Sequence, residues 1–235
     1  MIGTGGRAEF DQDLAQLEAQ VVLLGGLVES AILSSLQSLK GRDIELAEKV
    51  IGDDDFIDDK RHQIEEDSVA LLRREAPVAR DLRRIFTILQ IAGELERIGD
   101  YAEGIAKIAI MLSDQPVLPE LEEIPRMGDR AVSMLKHSLE AFLDRDSEVA
   151  ASKAFSIGPD DDAVDRMYAQ IQAELLELMK QNPENVEAGT YLMWAGHNVE
   201  RIADRATNIA ERVVYQATGR LVRVGGPDDD AESPT

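Results

Sequence analysis

The sequence predicts an all-α protein made of two pseudo-symmetric three-helix up-down-up bundles, six long helices in all. Three observations lead there. The segment Glu96-Arg97-Ile98-Gly99-Asp100-Tyr101-Ala102-Glu103-Gly104-Ile105-Ala106 recurs 104 residues later as Glu200-Arg201-Ile202-Ala203-Asp204-Arg205-Ala206-Thr207-Asn208-Ile209-Ala210, with seven of eleven positions identical. A period that long marks an internal duplication. Apolar residues around both copies step by three and four, the signature of helices packed along a seam. Finally, aromatic residues make up only 4% while Leu, Ala, Glu, Ile and Asp dominate, a composition of long helices rather than sheets.

Each helix has its own justification. Phe10–Lys40 supplies the first, and Ile57, Ile64 and Leu71, seven apart, place the second. The third carries Ile88, Ile91, Leu95, Ile98, Ala102, Ile105, Ala109 and Leu112 in strict alternation of three and four. Pro116, Pro119 and Pro125 then cluster, so Ser113 to Pro125 reads as the connection between halves. Arg126–Leu143 opens the second half; Val164, Ile171 and Leu178 mark its second helix; Leu192, Ala195, Val199, Ile202, Ala206, Ile209 and Val213 mark its third. Pro77 and Pro183 hold matching places and read as first-turn prolines, where no N–H donor is needed. The expected repeats are therefore residues 1–114 and 115–224. Met1–Gly6 and the acidic tail 225–235, with Asp228-Asp229-Asp230 and Glu232, are expected to be disordered. At about 1.5 Å per residue the helices should run roughly 40–50 Å.

Composition narrows function. The chain has no Cys, which excludes disulfides, thiolate metal sites and Cys nucleophiles and suits a reducing cytoplasm. Its longest apolar stretch, Val21–Val28, is interrupted by Gly25-Gly26 and reads as too short to span a bilayer. No basic region followed by an apolar block suggests a secretion signal, so a soluble protein is expected. A formal charge of −21 disfavours nucleic acid and anionic lipid as partners and makes a poor cage for free phosphate; cations and basic protein surfaces are what it attracts.

Register decides what the duplicated acids can do. With Leu95 and Val199 on the seam, Glu96 with Asp100, and Glu200 with Asp204, share helix faces directed away from the apolar core. One helix earlier, aligning Ile57 with Val164 places Asp54 with Asp58 and Asp161 with Asp165 in equivalent positions. Like charges four apart cost a few tenths of a kcal/mol per pair, so four such pairs point to a positive ligand that offsets the repulsion. The bland alternative is a solvated face balanced by Arg97, Arg201 and Lys107. Duplication tips the reading toward cations. All-oxygen donors suit Mg, Ca, Mn or oxidised Fe rather than zinc, and carboxylates from adjacent helices could hold multinuclear clusters.

These motifs resemble the PhoU family of phosphate-signalling regulators. The resemblance is carried by Glu94-Leu95-Glu96-Arg97-Ile98-Gly99-Asp100, Asn198-Val199-Glu200-Arg201-Ile202-Ala203-Asp204, Ala76-Pro77-Val78-Ala79-Arg80-Asp81-Leu82-Arg83 and the opening Phe10–Ile32, and spans residues 9 to 224. It implies a PhoU-like, spectrin-like pair of bundles and a homodimer. It also implies metal clusters on Asp54, Asp58, Glu96, Asp100, Asp161, Asp165, Glu200 and Asp204, with Glu103 and Asn208 as additional candidates. Implied partners are the ATPase subunit of the Pst phosphate-import transporter and a membrane sensor histidine kinase, in a pathway that restrains the phosphate-starvation response. Membrane association would come only through those partners. Gly104 stands where the family's Asn is usual and Ala203 where its Gly is usual, so the resemblance does not imply equal occupancy of the two sites.

The expected function is thus a non-enzymatic, cytoplasmic regulatory adaptor. The rivals are a ferritin-like di-iron carboxylate protein, which needs Glu-x-x-His motifs facing the core, and a passive metal store. No Glu-x-x-His occurs. Arg73, Arg74, Arg80, Arg83 and Arg84, the densest basic group, are expected to fix Glu75 and Asp81 locally. His197 is read as structural, Trp194 and Met193 as core or interface filler, and Gly25-Gly26 as a site of close helix packing.

Overall fold

A computed structural model describes residues 4–225. Among these residues the protein is entirely helical, with α1 (Thr4–Gly41), α2 (Ile44–Glu75) and α3 (Ala79–Met111) in the first half. A 3-10 turn at Pro119–Glu122 leads into α4 (Glu123–Leu143), α5 (Ser147–Phe155) and α6 (Gly158–Gln181); a second turn, Pro183–Asn185, leads into α7 (Val186–Thr218). The apolar seams read from the sequence are the core: Ile88, Ile91, Leu95, Ile98, Ala102, Ile105 and Ala109 on α3 are buried, as are Leu192, Ala195, Val199, Ile202, Ala206, Ile209 and Val213 on α7. α3 packs on α1, α2 and α7, while α7 packs on α4, α5 and α6, so these two helices form a shared spine.

The second half holds one helix beyond the three expected, since α5 precedes the helix marked by Val164, Ile171 and Leu178. The second half breaks between α5 and α6, where the first half has the unbroken α2. The cause is Pro159, in the first turn of α6. Proline lacks the N–H for the preceding turn and its ring clashes with the carbonyl four residues back, which is Phe155, the last residue of α5. Aligning Ile57 with Val164 puts Gly52 at the equivalent place in α2, and glycine lets that helix continue. The other prolines also depart from expectation. Pro77 lies in the non-helical link before α3, whose cap is Val78, and Pro183 opens a 3-10 turn rather than α7 itself.

The N-terminal end differs from the reading as well. α1 already begins at Thr4, so only Met1 to Gly3 of the expected N-terminal coil lie outside the described residues. Of the expected disordered tail, residues 226–235 lie outside them too. The stretch before it is ordered: past the αL cap Gly219, the chain turns back so that the Val224 N–H donates to Glu211 Oε1 at 3.2 Å. Val224 is buried, and the Gly225 backbone seats against Gly158, where a Cβ would come within 3.1 Å of Gly225 N. This strap closes over the α5–α6 break.

By length and composition alone α1 could cross a bilayer, contrary to the expectation drawn from Val21–Val28. In the fold Leu14, Val21, Leu24, Val28, Ile32 and Leu39 are buried among the other helices. Its glycine pair divides: a Cβ on Gly25 would meet Leu139 Cδ1 at 2.5 Å, so Gly25 serves close packing on α4, whereas Gly26 faces open space. Trp194 is exposed rather than filler of the core and leans on Tyr191, ring centroids 5.7 Å apart.

Candidate metal centres

The first acidic row lies between α2 and α3, with Asp54 and Asp58 on one side and Glu96, Asp100 and Glu103 on the other. The row is partly sunk into the groove between the helices instead of turned fully outward. Gly99 allows this, because a Cβ there would come within 3.1 Å of the Ile57 side chain and 3.3 Å of Asp54 Oδ1. Burial, and next the charges of Glu103, Asp100 and Asp58, push the Asp54 carboxyl up to about 6. Glu96 is raised by burial and then by Asp100, with Arg61 opposing. Asp100 is raised by burial, then by Asp58 and Glu103. These acids feel one another as a single cluster. Among the described residues no basic side chain forms an ion pair with Asp54, Asp58, Glu96 or Asp100; Lys107 takes Glu103 at 2.6 Å.

The second row lies between α6 and α7. Burial drives the Asp161 carboxyl up to about 6; the Thr207 side chain eases it partly without completing a hydrogen bond, and Asp161 Oδ1 is buried with no partner. Asp165 is raised by burial and by Asp204 and Asp162. Here the neutralisation is greater. Arg201 holds Asp204 at 2.6 Å, and His197 Nδ1 lies 3.0 Å from Glu200 Oε2, though without hydrogen-bond alignment. Glu200 remains raised, by burial first and Asp204 second, with His197 opposing. His197, read as structural, thus touches the row while leaning on the Tyr168 ring.

The two additional candidates diverge. Glu103 belongs to the first row. Asn208 turns away from the second: its amide donates to Glu94 Oε2 at 3.2 Å. Glu94, which the sequence reading quoted but gave no role, is a buried ionic hub, holding Arg97 at 3.2 Å and Arg205 at 3.3 Å as well. Its position one residue before the seam residue Leu95 was the available signal. Glu18 was missed likewise; buried on α1, it receives Arg84 at 2.5 Å and Arg145 at 3.0 Å. Nor do the basic residues near Pro77 serve Asp81, which pairs with Arg7 at 2.5 Å; Arg74 holds Glu75 at 2.8 Å and also Asp13.

The donor chemistry fits hard cations: both rows offer carboxylate oxygens, several unpaired, and two, Asp161 Oδ1 and Glu200 Oε2, buried without a hydrogen bond. Among the described residues no three Asp, Glu or His side chains converge as a ready ligand set. Mutual repulsion explains why they stand apart, since drawing carboxylates together needs a positive charge between them. Asp54, Asp58, Glu96 and Asp100 would hold a cation in the first row, and Asp161, Asp165, Glu200 and Asp204 in the second. The ion would supply fixed positive charge on an acidic surface.

The protein-family model described as "PhoU domain" matches the chain twice, at residues 21–109 and 124–213. Curated relatives named "Phosphate-specific transport system accessory protein PhoU homolog" include one from Rhizobium meliloti (strain 1021), 36% identical over 95% of this chain and 93% of its own length. Another, from Clostridium acetobutylicum, is 36% identical over 92% and 97%. Among solved structures, PhoU from Pseudomonas aeruginosa superimposes with a TM-score of 0.84 at 33% identity, covering 90% of this chain and 100% of that one. The phosphate transport system regulatory protein PhoU from Streptococcus pneumoniae gives 0.83 at 35% identity, covering 91% and 99%. Twofold match of the family model, full-length identity and shared architecture agree: the chain belongs to the PhoU family.

Proposed function

We propose that this protein is a non-enzymatic regulatory adaptor of phosphate-specific transport. It restrains phosphate uptake and the starvation response while docked, in the cytoplasm, to the transporter's ATPase subunit and to a sensor histidine kinase. Its relatives, named as accessory proteins of that transport system, support the transport role. The observation that carries the cation part is the pair of matched acidic rows, with Asp54, Asp58, Glu96 and Asp100 unneutralised on an already acidic chain. Cations on Asp54, Asp58, Glu96, Asp100, Asp161, Asp165, Glu200 and Asp204 would convert a repulsive face into one that a partner's acidic or polar groups can approach. The adaptor is expected to act as a homodimer, a point light scattering decides directly.

The ferritin-like alternative finds less support. Its chemistry needs carboxylates facing one another across the core. Here the buried acids Glu18 and Glu94 are each taken by arginines. The deciding experiment removes the gene and measures phosphate-regulon expression in rich phosphate. Derepression, reversed by the wild-type gene and not by one altered in both rows, is expected; unchanged expression refutes the regulatory reading. Pull-down with the ATPase subunit and the kinase separates an adaptor from a passive metal store.

A further inference from the structure

The basic group near Pro77 is only partly absorbed by local acids. Where the first helix, the start of α3, the α4–α5 link and the end of α7 meet, a cavity of about 60 Å³ is lined by Glu18, Arg80, Arg84, Arg145, Ser147 and Gln216, among others. A space of that size holds a few water-sized groups, the scale of one tetrahedral oxyanion. Its charge runs against the rest of the molecule. Three guanidinium groups line the cavity beside Glu18, a carboxylate 5% exposed that pairs with Arg84 at 2.5 Å and Arg145 at 3.0 Å. Asp144 also lines the cavity, but Lys153 holds it at 2.8 Å and the Asp146 N–H at 3.0 Å. Arg80 has no ion-pair partner among the described residues.

Beside apolar Phe142, Ala150, Val213 and Ala217, the remaining polar side chains, Ser147 and Gln216, are donors or can become donors. Ser147, the first residue of α5, brings its hydroxyl; the Glu148 and Val149 N–H groups at that helix end are already taken by the Asp146 side chain, at 2.9 and 3.2 Å. Gln216 has a buried amide oxygen with no donor, and the flipped amide would present its NH₂ instead. Planar guanidinium forks match the oxygen spacing of phosphate, which a lysine cannot do. The pocket is not a product of the duplication. A shift of 104 residues replaces Arg80 and Arg84 by Glu184 and Ala188.

We propose that this cavity binds a single phosphate-type oxyanion, with inorganic phosphate the source its size admits. Arg80, Arg145 and Ser147 grip the anion, while Arg84 and Glu18 hold the frame. The site sits at the junction of both halves, so occupancy would tie the α4–α5 link to the start of α3. Physiological meaning rests on the transport reading above; the binding itself does not.

The test uses the purified full chain stripped by a chelator, titrated with inorganic phosphate by calorimetry and followed by phosphorus NMR. Saturable one-to-one binding is expected, displaced by sulfate but not by chloride. Arg80→Ala and Arg145→Ala should each weaken it roughly tenfold or more, the loss of a charge-assisted contact. Glu18→Gln, checked for an intact helical spectrum, should strengthen it by removing the competing carboxylate. Glycerol 3-phosphate provides the second arm: weaker binding assigns the site to free phosphate, and tighter binding through the same arginines supports the oxyanion site with an esterified source. The proposal falls if the wild type shows no saturable binding, if the arginine variants bind unchanged, or if phosphate binds only after metal is restored. The last result would place the anion on the acidic rows. Failure of the gene-deletion phenotype would leave this binding result standing and sink only the regulatory role.

Discussion

The two halves share a motif and differ in how they neutralise it. In the first, Asp54, Asp58, Glu96 and Asp100 face one another with no ion pair among the described residues, under an unbroken α2. In the second, Arg201 takes Asp204, His197 approaches Glu200, and the strap ending at Gly225 lies against Asp161. Four substitutions between repeats account for much of this: Gly93 against His197, Gly99 against Ala203, Gly104 against Asn208 and Lys107 against Glu211. Duplication preserved the carboxylates while their surroundings drifted, so equal motifs need not be equal sites.

The sharpest asymmetry lies where α3 and α7 cross. A shift of 104 residues pairs Glu94 with Asn198 and Gly104 with Asn208. At one crossing Glu94 gathers Arg97, Arg205 and Asn208; at its counterpart Asn198 simply fills the space beside Gly104, where a Cβ would come 2.7 Å from its amide. Removing one member of a buried ion pair strands the other, so Glu94→Ala should cost about 3 kcal/mol. Asn198→Ala should cost less than about 1 kcal/mol, the worth of an ordinary polar contact. Urea unfolding of both variants settles it, and equal losses would dissolve the contrast.

The next effect concerns cations. Calorimetry with Mn, Mg, Ca and Fe should resolve a tighter class lost in Asp54→Asn with Asp100→Asn, and a weaker class lost in Asp161→Asn with Asp204→Asn. The tighter class should lose affinity by roughly tenfold or more, because the first row starts with more unpaired charge. Identical behaviour of the two variants would mean that Arg201 and His197 do not compete with the ion.

Much of this was legible in the sequence because helical periodicity and a long repeat are strong signals. Every seam residue from Ile88 to Ala109 and from Leu192 to Val213 is in the core, since a strict three-four step leaves no other face to bury. The eight row carboxylates also fell into two groups as their register required. What stayed hidden depends on contacts between distant segments. Glu94 reads as one more motif acid until α7 brings Arg205 and Asn208 to it from over a hundred residues away. The depth of the rows follows from Gly99, whose missing side chain is meaningful only once Ile57 is known to lie opposite. Pro159 was visible, but its helix-breaking role emerges only once α5 is seen to end at Phe155, four residues before it.

The strap offers a smaller test of the same comparison. Val224 is 2% exposed and caps the break that only the second half possesses. Val224→Ala should cost about 1 kcal/mol. Hydrogen exchange should rise in α5 and the first turn of α6 and leave the equivalent part of α2 unchanged. A uniform rise in both halves would show that the strap stabilises the whole bundle rather than the break.

The last effect concerns pH, and its sign is unusual for acids. Asp54 and Asp161 both rise from 3.8 to about 6 on folding, chiefly through burial. The folded chain therefore holds protons that the unfolded chain has already released between about pH 4 and 6, so these two groups make stability fall as pH rises through that window and level off above it. In metal-free protein the melting temperature of Asp54→Asn with Asp161→Asn, relative to wild type, should climb across the same window and then stay constant. Saturating divalent cation should shrink that difference, because a bound ion favours the carboxylate form. The halves should also separate. The Thr207 side chain eases Asp161, whereas Glu103 in the equivalent place aggravates Asp54. Thr207→Val should thus enlarge the pH-dependent loss from the second row alone, seen as a steeper fall for Thr207→Val than for wild type, and one that Asp161→Asn abolishes. If Asp54→Asn abolishes it instead, the two rows are electrostatically one site, coupled across the α3–α7 spine.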